Sequence, residues 1–276
     1  MKIGIILAAG EGTRMGIRGA NKTTVLFEGK PLIQYGVDLF KSCVDQIYIV
    51  VGAHKESVAR IVAHEPKVHL VEQTERKGTG HALIEALKQI KRDRLEPEMV
   101  LVGYGDHMMF YTKSILEDLM DLHLKDRAVV TLISTKYDDP DYIAWGRIVR
   151  DQDGQLVKIV EQKEATPEER MIKESNAGFY CINFKFGCDS IEAVLNANKQ
   201  GEYYVNDFTE IAIKSKLRVA VLEVPFERVG MGINSHDQLD LSSRYYREVT
   251  TTAWSLVILV GGDIVVEKEV FGDFKP

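Results

Sequence analysis

The feature that most constrains the fold is an apolar run that ends in a glycine-containing loop. Residues 3–9 are aliphatic or small with no polar alternation, which predicts a strand covered on both faces, as in a parallel sheet. Gly10 and Gly12 follow, and amide N–H groups in such a loop can hold phosphate oxygens. Arg14 adds a forked cation suited to phosphate. Because the third glycine, Gly16, is one position late for a dinucleotide fingerprint and no Gly-Lys-Ser/Thr follows, the loop matches neither common phosphate-binding glycine motif.

Strands and helices alternate through the first half of the chain, which predicts a doubly wound, mostly parallel α/β sheet. In such sheets ligands gather beyond the carboxyl ends of the strands, where both the glycine loop and Asp106 are expected. The second half predicts a hairpin, a strand at 176–184 and a helix near 190–197 on the same sheet. We expect a main domain at 1–240, with halves at about 1–112 and 113–240, followed by a C-terminal helix and strand-like tail at 241–276.

Composition excludes several classes of partner. The formal net charge is −6 and no long basic run occurs, so we expect neither nucleic acid nor an anionic membrane as a partner. No segment reaches the roughly eighteen apolar residues that a membrane span needs. The odd number of cysteines (Cys43, Cys181 and Cys188), their lack of metal-ligand spacing and the absence of a signal peptide predict a cytoplasmic protein.

Nine short motifs follow one another along most of residues 3–240. They are Leu7-Ala8-Ala9-Gly10-x-Gly12-Thr13-Arg14-Met15, Lys22, Gln73-x4-Gly78-Thr79-Gly80-His81-Ala82, Tyr104-Gly105-Asp106, Gly146-Arg147-Ile148-Val149, Val160-Glu161-Gln162-Lys163, Asn176-Ala177-Gly178, Gly201-Glu202-Tyr203-Tyr204-x2-Asp207 and Gly232-Ile233-Asn234. In this set the chain resembles the sugar-1-phosphate nucleotidyltransferases. The resemblance is strongest to the uridylyltransferase domain of the bifunctional enzymes that make UDP-N-acetylglucosamine, and it implies a Rossmann-like nucleotidyltransferase fold with a sugar-binding lobe.

The chemistry implied by this resemblance requires cations rather than a general base. A phosphate monoester has its second pKa at about 6, so the attacking oxygen is mostly ionised at neutral pH. The difficulty is that two anions must approach each other, which calls for a metal ion, fixed lysine and arginine side chains and a backbone cradle. An oxygen ligand at Asp106 suits Mg²⁺, which prefers few protein ligands and several phosphate or water oxygens. No nucleophilic serine or cysteine is expected.

The resemblance also implies a role for each motif residue. The catalytic residues would be Arg14, which stabilises the departing pyrophosphate, and Lys22, which contacts the α-phosphate. The Mg²⁺ ligands would be Asp106 and Asn234. Nucleotide-binding residues would be Leu7, Ala8, Ala9, Gly10, Gly12, Thr13, Gln73, Gly78 and Thr79, with Gln73 and Gly78 at the uracil. Sugar-binding residues would be Tyr104, Gly146, Glu161 and Asn176. His81 looks catalytic, but at a helix start we expect it to be a packing or capping residue.

Three positions depart from the family pattern. The proline usually found before the lysine is replaced by Ala20-Asn21, and the threonine after the sugar-side asparagine by Ala177. Asp106, normally followed by a small residue and proline, is followed by His107-Met108-Met109, which puts a titratable ring beside the predicted metal site. These changes leave the predicted phosphate and metal groups in place and bear on the identity of the sugar.

We therefore expect transfer of UMP from UTP to N-acetylglucosamine 1-phosphate with release of pyrophosphate. Another pair, such as dTTP or CTP with a different phosphorylated alcohol, stays open, as does a binding protein that senses a nucleotide-sugar without turnover. Residues 254–270 resemble at best one irregular coil of the β-helix that carries the acetyltransferase in the bifunctional enzymes, so no acetyltransferase activity is expected. The tail could instead join a homo-oligomer or an assembly with another enzyme.

Overall fold

The computed structural model describes residues 1–10, 12, 15–16, 19–52, 54–194, 201–255, 257–260 and 263–266, with side chains as far as residue 250, except that of residue 141. The first half alternates strands with helices, as the sequence predicts. Its elements are β1 (Lys2–Ala8), β2 (Leu26–Phe27), β3 (Lys30–Pro31), α1 (Leu32–Lys41), β4 (Gln46–Val51), α2 (Lys55–Val62), β5 (Val68–Glu72), α3 (Thr79–Arg92), β6 (Met99–Tyr104) and α4 (Lys113–Lys125).

The second half contains the predicted hairpin, a long strand and several short helices. Its elements are β7 (Val130–Lys136), β8 (Arg147–Arg150), β9 (Leu156–Val160), α5 (Pro167–Arg170), β10 (Glu174–Asn183), α6 (Phe184–Ser190), α7 (Asn206–Lys214), β11 (Val219–Glu223), α8 (Phe226–Val229), α9 (His236–Ser255), β12 (Val257–Val260) and β13 (Asp263–Val266). None of the helices that the structure describes combines the length and the apolar character needed to cross a membrane.

The unbroken apolar character of β1 follows from helices that cover both faces of the sheet. Alternate side chains of a strand point to opposite faces. Ile5 belongs to the same buried cluster as Leu87 of α3, whereas the next residue, Ile6, belongs to a second buried cluster with Val37 of α1. Both isoleucines are fully buried, so neither face of this strand tolerates a polar residue.

The sheet order is β11-β7-β10-β6-β1-β4-β5, with the β8–β9 hairpin beside β10. β1 pairs in parallel with both β4 and β6, while β10 runs antiparallel to its neighbours β6 and β7. β10 therefore joins the two halves of the chain in one mostly parallel sheet, which confirms the predicted fold class. Leu7 lies opposite Tyr104, and Gly105 N donates to Leu7 O at 3.0 Å, so the glycine loop and Asp106 emerge side by side.

Two predicted boundaries in the second half are wrong. The helix expected near 190–197 begins earlier, because the side chain of Asn183 caps it by accepting from Phe186 N at 2.9 Å. The structure has α6 at Phe184–Ser190 and a 3-10 turn at Ile191–Ala193. Helix α9 extends past the expected end near residue 249 to Ser255, and the short strands β12 and β13 pair with each other.

Candidate functional site

A cavity of about 620 Å³ lies at the carboxyl ends of β1 and β6. Its wall includes every predicted site residue that the structure describes. These are Leu7, Ala8, Ala9, Gly10, Gly12, Lys22, Gln73, Gly78, Thr79, Tyr104, Asp106, Gly146, Glu161, Asn176 and Asn234. Residues as far apart in sequence as Leu7 and Asn234 therefore line one cavity, and the polar groups differ between its two ends.

Gly12 and Asn21 bring Lys22 to the cavity. Gly12 has a positive φ of 66°, and a Cβ there would lie 2.6 Å from Cβ of Lys22, so a larger residue would displace the lysine. The buried side chain of Asn21 donates to Ala8 O at 2.7 Å and accepts from Thr23 N at 2.9 Å. These bonds tie the segment that carries Lys22 to the end of β1 and give the replacement of the usual proline a structural role.

Lys22, Asp106 and Asn234 meet in the wall of the cavity. The ammonium of Lys22 forms an ion pair with Oδ2 of Asp106 and donates to Oδ1 of Asn234 at 3.0 Å. Ile233 N donates to Asp106 O at 3.0 Å, so the chain before Asn234 is fixed to the chain after β6. A carboxylate and an amide oxygen thus already face one positive charge, and this donor set fits Mg²⁺. The described residues contain no cluster of three or more His, Cys, Asp or Glu side chains that could hold a metal.

The side chain of His107, next to Asp106 in sequence, contacts the segment that leads to Asn234. The buried His107 ring packs on the indole of Trp145, with centroids 4.8 Å apart, and its Nε2 lies 3.2 Å from the carbonyl oxygen of Gly230. Burial lowers the pKa of His107, with Asp106 opposing the shift, so the ring is neutral at neutral pH. A neutral imidazole whose Nε2–H donates to Gly230 connects the strand end that carries Asp106 to the loop that leads to Asn234.

Gln73 and Gly78 form one end of the cavity, where the glycine packs against Tyr203. Gln73 is buried, and its Nε2 donates to Gly78 O at 3.0 Å and lies 3.0 Å from Nδ1 of His81. Gly78 has a φ of 97°, and a Cβ there would lie 2.4 Å from Tyr203 O. Gly80 N donates to the same carbonyl at 2.7 Å. The two sequence motifs that contain these residues are therefore packed against each other.

A polar network around Asn206 forms the other end. Asn206 Nδ2 donates to Glu161 Oε1 at 2.6 Å, and Asn206 Oδ1 accepts from Asn176 Nδ2 and from the Tyr180 hydroxyl, both at 2.8 Å. Asn176 Oδ1 in turn accepts from Gly178 N at 3.0 Å. One asparagine therefore orients Glu161 and Asn176, two of the residues that the sequence assigns to sugar binding.

Burial is the main electrostatic influence at this end. It raises the pKa of Glu161 above its ordinary value, while the hydrogen bond from Asn206 opposes the shift. Burial also raises the pKa of Tyr104, whose hydroxyl is hydrogen-bonded to Thr79 and Tyr180. Tyr104 thus stays neutral and connects the two ends of the cavity through hydroxyl groups.

Comparison with known proteins identifies the family. Residues 4–174 match the family described as the MobA-like NTP transferase domain. The "Bifunctional protein GlmU" of Desulfotalea psychrophila is 35% identical over 92% of this chain and 74% of its own length. The GlmU of Acetivibrio thermocellus is 36% identical over 88% of this chain and 51% of its own length, and that of Pseudothermotoga lettingae is 32% identical over 96% and 55%. The chain belongs to the GlmU-like sugar-1-phosphate nucleotidyltransferases.

A solved structure supports the fold of this nucleotidyltransferase. A crystal structure described as a glucose-1-phosphate thymidylyltransferase from Bacillus anthracis in complex with sucrose superposes with a TM-score of 0.71. The match covers 90% of this chain and 96% of that one at 20% sequence identity, so the likeness concerns the fold. The chain spans about half the length of the A. thermocellus and P. lettingae relatives, and their remaining part has no counterpart in the alignment.

All but two of the predicted site residues line the nucleotidyltransferase cavity. Arg14 and Thr13 lie outside the described residues, so their predicted roles stay predictions. His81 makes no cap; it contacts the amide of Gln73 and packs near the ring of Tyr203, with centroids 6.2 Å apart.

Sequence reasoning missed several residues that shape this nucleotidyltransferase site. Asn206, Tyr180 and Trp145 line the cavity, and Asn21 ties the segment that carries Lys22 to the end of β1. Asn206 stands within the motif Gly201-Glu202-Tyr203-Tyr204-x2-Asp207, at a position that the motif leaves open. The signal that could have revealed it is a polar residue at the start of a helix next to a matched motif. Tyr180 and Trp145 belong to apolar stretches and carry no such signal.

Proposed function

We propose that this enzyme transfers the uridylyl group of UTP to N-acetylglucosamine 1-phosphate, releases pyrophosphate and depends on Mg²⁺. The observation that carries the proposal is the meeting of Lys22, Asp106 and Asn234 between the glycine loop and the Asn206 network, inside one cavity. The joining of two phosphorylated reactants requires positive charge and metal-binding oxygens at the point where they meet. It also requires a backbone that holds phosphate on one side and groups that bind sugar hydroxyls on the other.

Asp106 and Asn234 are the proposed ligands of Mg²⁺. Their side-chain oxygens face the same ammonium group, which supports the proposal that the two side chains bind one cation together. When bound, the metal supplies positive charge that offsets the repulsion between the two phosphate groups. Lys22 is proposed to contact the α-phosphate, and the backbone around Gly10 and Gly12 to hold the remaining phosphates.

The proposed reaction is an in-line displacement at the α-phosphorus. A phosphate oxygen of the sugar phosphate forms the new P–O bond, the bond to the β-phosphate bridging oxygen breaks, and the electron pair leaves with pyrophosphate. Because the nucleophile is already ionised, the protein's part is to align the two reactants and stabilise charge. Arg14 is proposed to stabilise the leaving pyrophosphate.

The two ends of the cavity support an assignment of base and sugar. Gln73 and Gly78 present amide and carbonyl groups suited to a pyrimidine edge, and they lie in the proposed nucleotide half, 1–112. Glu161, Asn176 and Asn206 present acceptors and donors suited to sugar hydroxyl and acetamido groups, and they lie in the proposed sugar half, 113–240. The similarity to the GlmU proteins, together with the resemblance carried by the sequence motifs, supports the N-acetylglucosamine pair. The thymidylyltransferase name of the structural neighbour keeps dTTP with a hexose phosphate as the second candidate.

Pyrophosphate release over a matrix of nucleoside triphosphates and sugar 1-phosphates tests this proposal. The matrix contains UTP, dTTP and CTP, each with N-acetylglucosamine 1-phosphate, glucose 1-phosphate and no acceptor. We expect the highest kcat/KM with UTP and N-acetylglucosamine 1-phosphate. A preference for another pair would reassign the substrates, and tight nucleotide-sugar binding without turnover of any pair would favour a sensor.

A further inference from the structure

The amide of Gln73 is held in one orientation by two neighbours. Its Nε2 lies 3.0 Å from the carbonyl oxygen of Gly78 and 3.0 Å from Nδ1 of His81. A side-chain amide nitrogen has two hydrogens and the amide oxygen has none. If the amide were turned over, its oxygen would face the Gly78 carbonyl oxygen, which is also only an acceptor. The carbonyl therefore fixes the nitrogen on its side.

His81 completes this arrangement by accepting the second hydrogen. An imidazole nitrogen accepts only when it is unprotonated, so Nδ1 must lack a proton and Nε2 must carry one. Nε2 faces Glu85 Oε1 at 3.8 Å. Both hydrogens of the Gln73 amide are then engaged within the protein. Among the described residues no donor is hydrogen-bonded to Oε1 of Gln73, which belongs to a buried side chain that lines the cavity.

We propose that His81 is a positioning residue that presents the Gln73 carbonyl oxygen to the base, so that the enzyme selects a pyrimidine with a ring N–H donor over cytosine. The inference rests on the proposed function, in which Gln73 contacts the base. Uracil and thymine carry a hydrogen on N3, whereas N3 of cytosine is an acceptor. Because the Gln73 amide cannot turn over, its oxygen accepts a hydrogen bond from N3–H of uracil or thymine. The same oxygen repels N3 of cytosine, and the two acceptors are left unpaired, which disfavours cytosine.

Protonation of His81 would remove this selection. A proton on Nδ1 faces the amide hydrogens of Gln73 and forces the amide away from its bond to Gly78. The charged groups around the ring are Glu85 and Glu75, which favour its protonation, and Lys77 and Lys88, which oppose it; burial is the largest influence and lowers the pKa of His81 below its ordinary value of 6.5. The ring of Tyr203 lies near the imidazole, with centroids 6.2 Å apart. Selection therefore holds at neutral pH and is lost as the pH falls through that lowered pKa.

The test compares two substitutions that differ in one acceptor. His81→Asn keeps an oxygen at the place of Nδ1, whereas His81→Phe keeps a ring against Tyr203 and removes the acceptor. The ratio of kcat/KM for UTP to that for CTP is measured with N-acetylglucosamine 1-phosphate at saturating Mg²⁺, with Glu85→Gln as the control. We expect the ratio to fall about tenfold in His81→Phe, through a higher KM for UTP at nearly unchanged kcat, and to stay within about twofold in His81→Asn and the control.

The ratio of kcat/KM for UTP to that for CTP is also measured from about pH 8 to about pH 5.5, in the parent enzyme and in His81→Asn. The triphosphate groups of UTP and CTP ionise alike, so their titration cancels in the ratio. We expect the parent ratio to decline at the acid end and the His81→Asn ratio to stay flat. A parent-like ratio in His81→Phe, an equal loss in both variants, or an identical pH profile in His81→Asn and the parent would overturn the inference. A parent enzyme that turns over UTP no better than CTP would instead overturn the base assignment in the proposed function.

Discussion

The ammonium of Lys22 donates a hydrogen bond to Oδ1 of Asn234 at 3.0 Å, across 212 positions of sequence. The same ammonium is paired with Asp106. The segment after β6, the segment that carries Asn234 and the segment that carries Lys22 therefore meet at one positive charge. Lys22 and Asp106 are both largely buried, with side-chain exposures of 11% and 19%. Charges held out of water in this way need close partners, which is why we place the cationic centre of the proposed reaction here.

Lys22→Ala should lower kcat by about a hundredfold, the scale of losing one group that stabilises charge in the transition state. The reason is that the α-phosphate loses its proposed cation. Steady-state pyrophosphate release checks this, with Lys67→Ala as the matched control because Lys67 is exposed and lies away from the cavity. Equal activity in Lys22→Ala and Lys67→Ala would remove Lys22 from the reaction.

Asp106→Asn should weaken the response to Mg²⁺ while it preserves the shape of the side chain. We expect the Mg²⁺ concentration that gives half-maximal activity to rise at least about tenfold, since a neutral amide is a poorer ligand than a carboxylate. The exposed Asp121 on α4 provides the control Asp121→Asn. If the Mg²⁺ titration of Asp106→Asn overlaid that of the parent enzyme, the metal assignment would be wrong.

Asn206→Ala should raise the KM for the sugar phosphate about tenfold and leave the KM for UTP nearly unchanged. The substitution removes the donor to Glu161 and the acceptor for Asn176 and Tyr180, so both proposed sugar-binding groups lose their orientation. Substrate-saturation kinetics with each substrate varied in turn measure the split. Lys214→Ala, on the same helix, is the control. A rise confined to the KM for UTP would place the Asn206 network at the base instead.

Glu161→Gln should be more heat-stable than the parent enzyme at about pH 8. Burial raises the pKa of Glu161 above its ordinary value of 4.5, so the folded state binds its proton more tightly than the unfolded chain does. The stability that comes from the protonated form is present at low pH and is lost as the pH rises through the raised pKa. Glutamine stays neutral and can still accept from Asn206. Melting curves from pH 8 downward should show the two proteins converging, and an advantage of Glu161→Gln that grows on acidification would contradict this account.

The alternation of strands and helices could be predicted because each apolar run must be covered on both faces. Ile5 and Ile6 illustrate the reason, since adjacent side chains enter different buried clusters. Helix α6 was misplaced because its position depends on one local hydrogen bond, from Phe186 N to the Asn183 side chain. A capping bond of this kind competes with the apolar pattern and leaves little trace in it.

The site could be predicted where a motif fixes a residue type and not where tertiary contacts decide its role. Lys22, Asp106 and Asn234 belong to recognisable motifs. The parallel register of β1 and β6 places the end of β1 beside Asp106, and the bond from Ile233 N to Asp106 O brings Asn234 there. The role of Asn206 depends on the approach of β10 and the hairpin to the start of α7. No local pattern reports such an approach. His81 shows the same limit, because its partner Gln73 lies on the preceding loop.

The central claim is that a sugar phosphate oxygen attacks the α-phosphorus of UTP at the Lys22–Asp106–Asn234 centre. The most direct measurement uses N-acetylglucosamine 1-phosphate labelled with ¹⁸O on its non-bridging phosphate oxygens, with mass spectrometry of the products. The account predicts UDP-N-acetylglucosamine that retains every labelled oxygen and pyrophosphate that contains none. Label in the released phosphate species, or no labelled nucleotide-sugar when Mg²⁺ and both substrates are present, would contradict it.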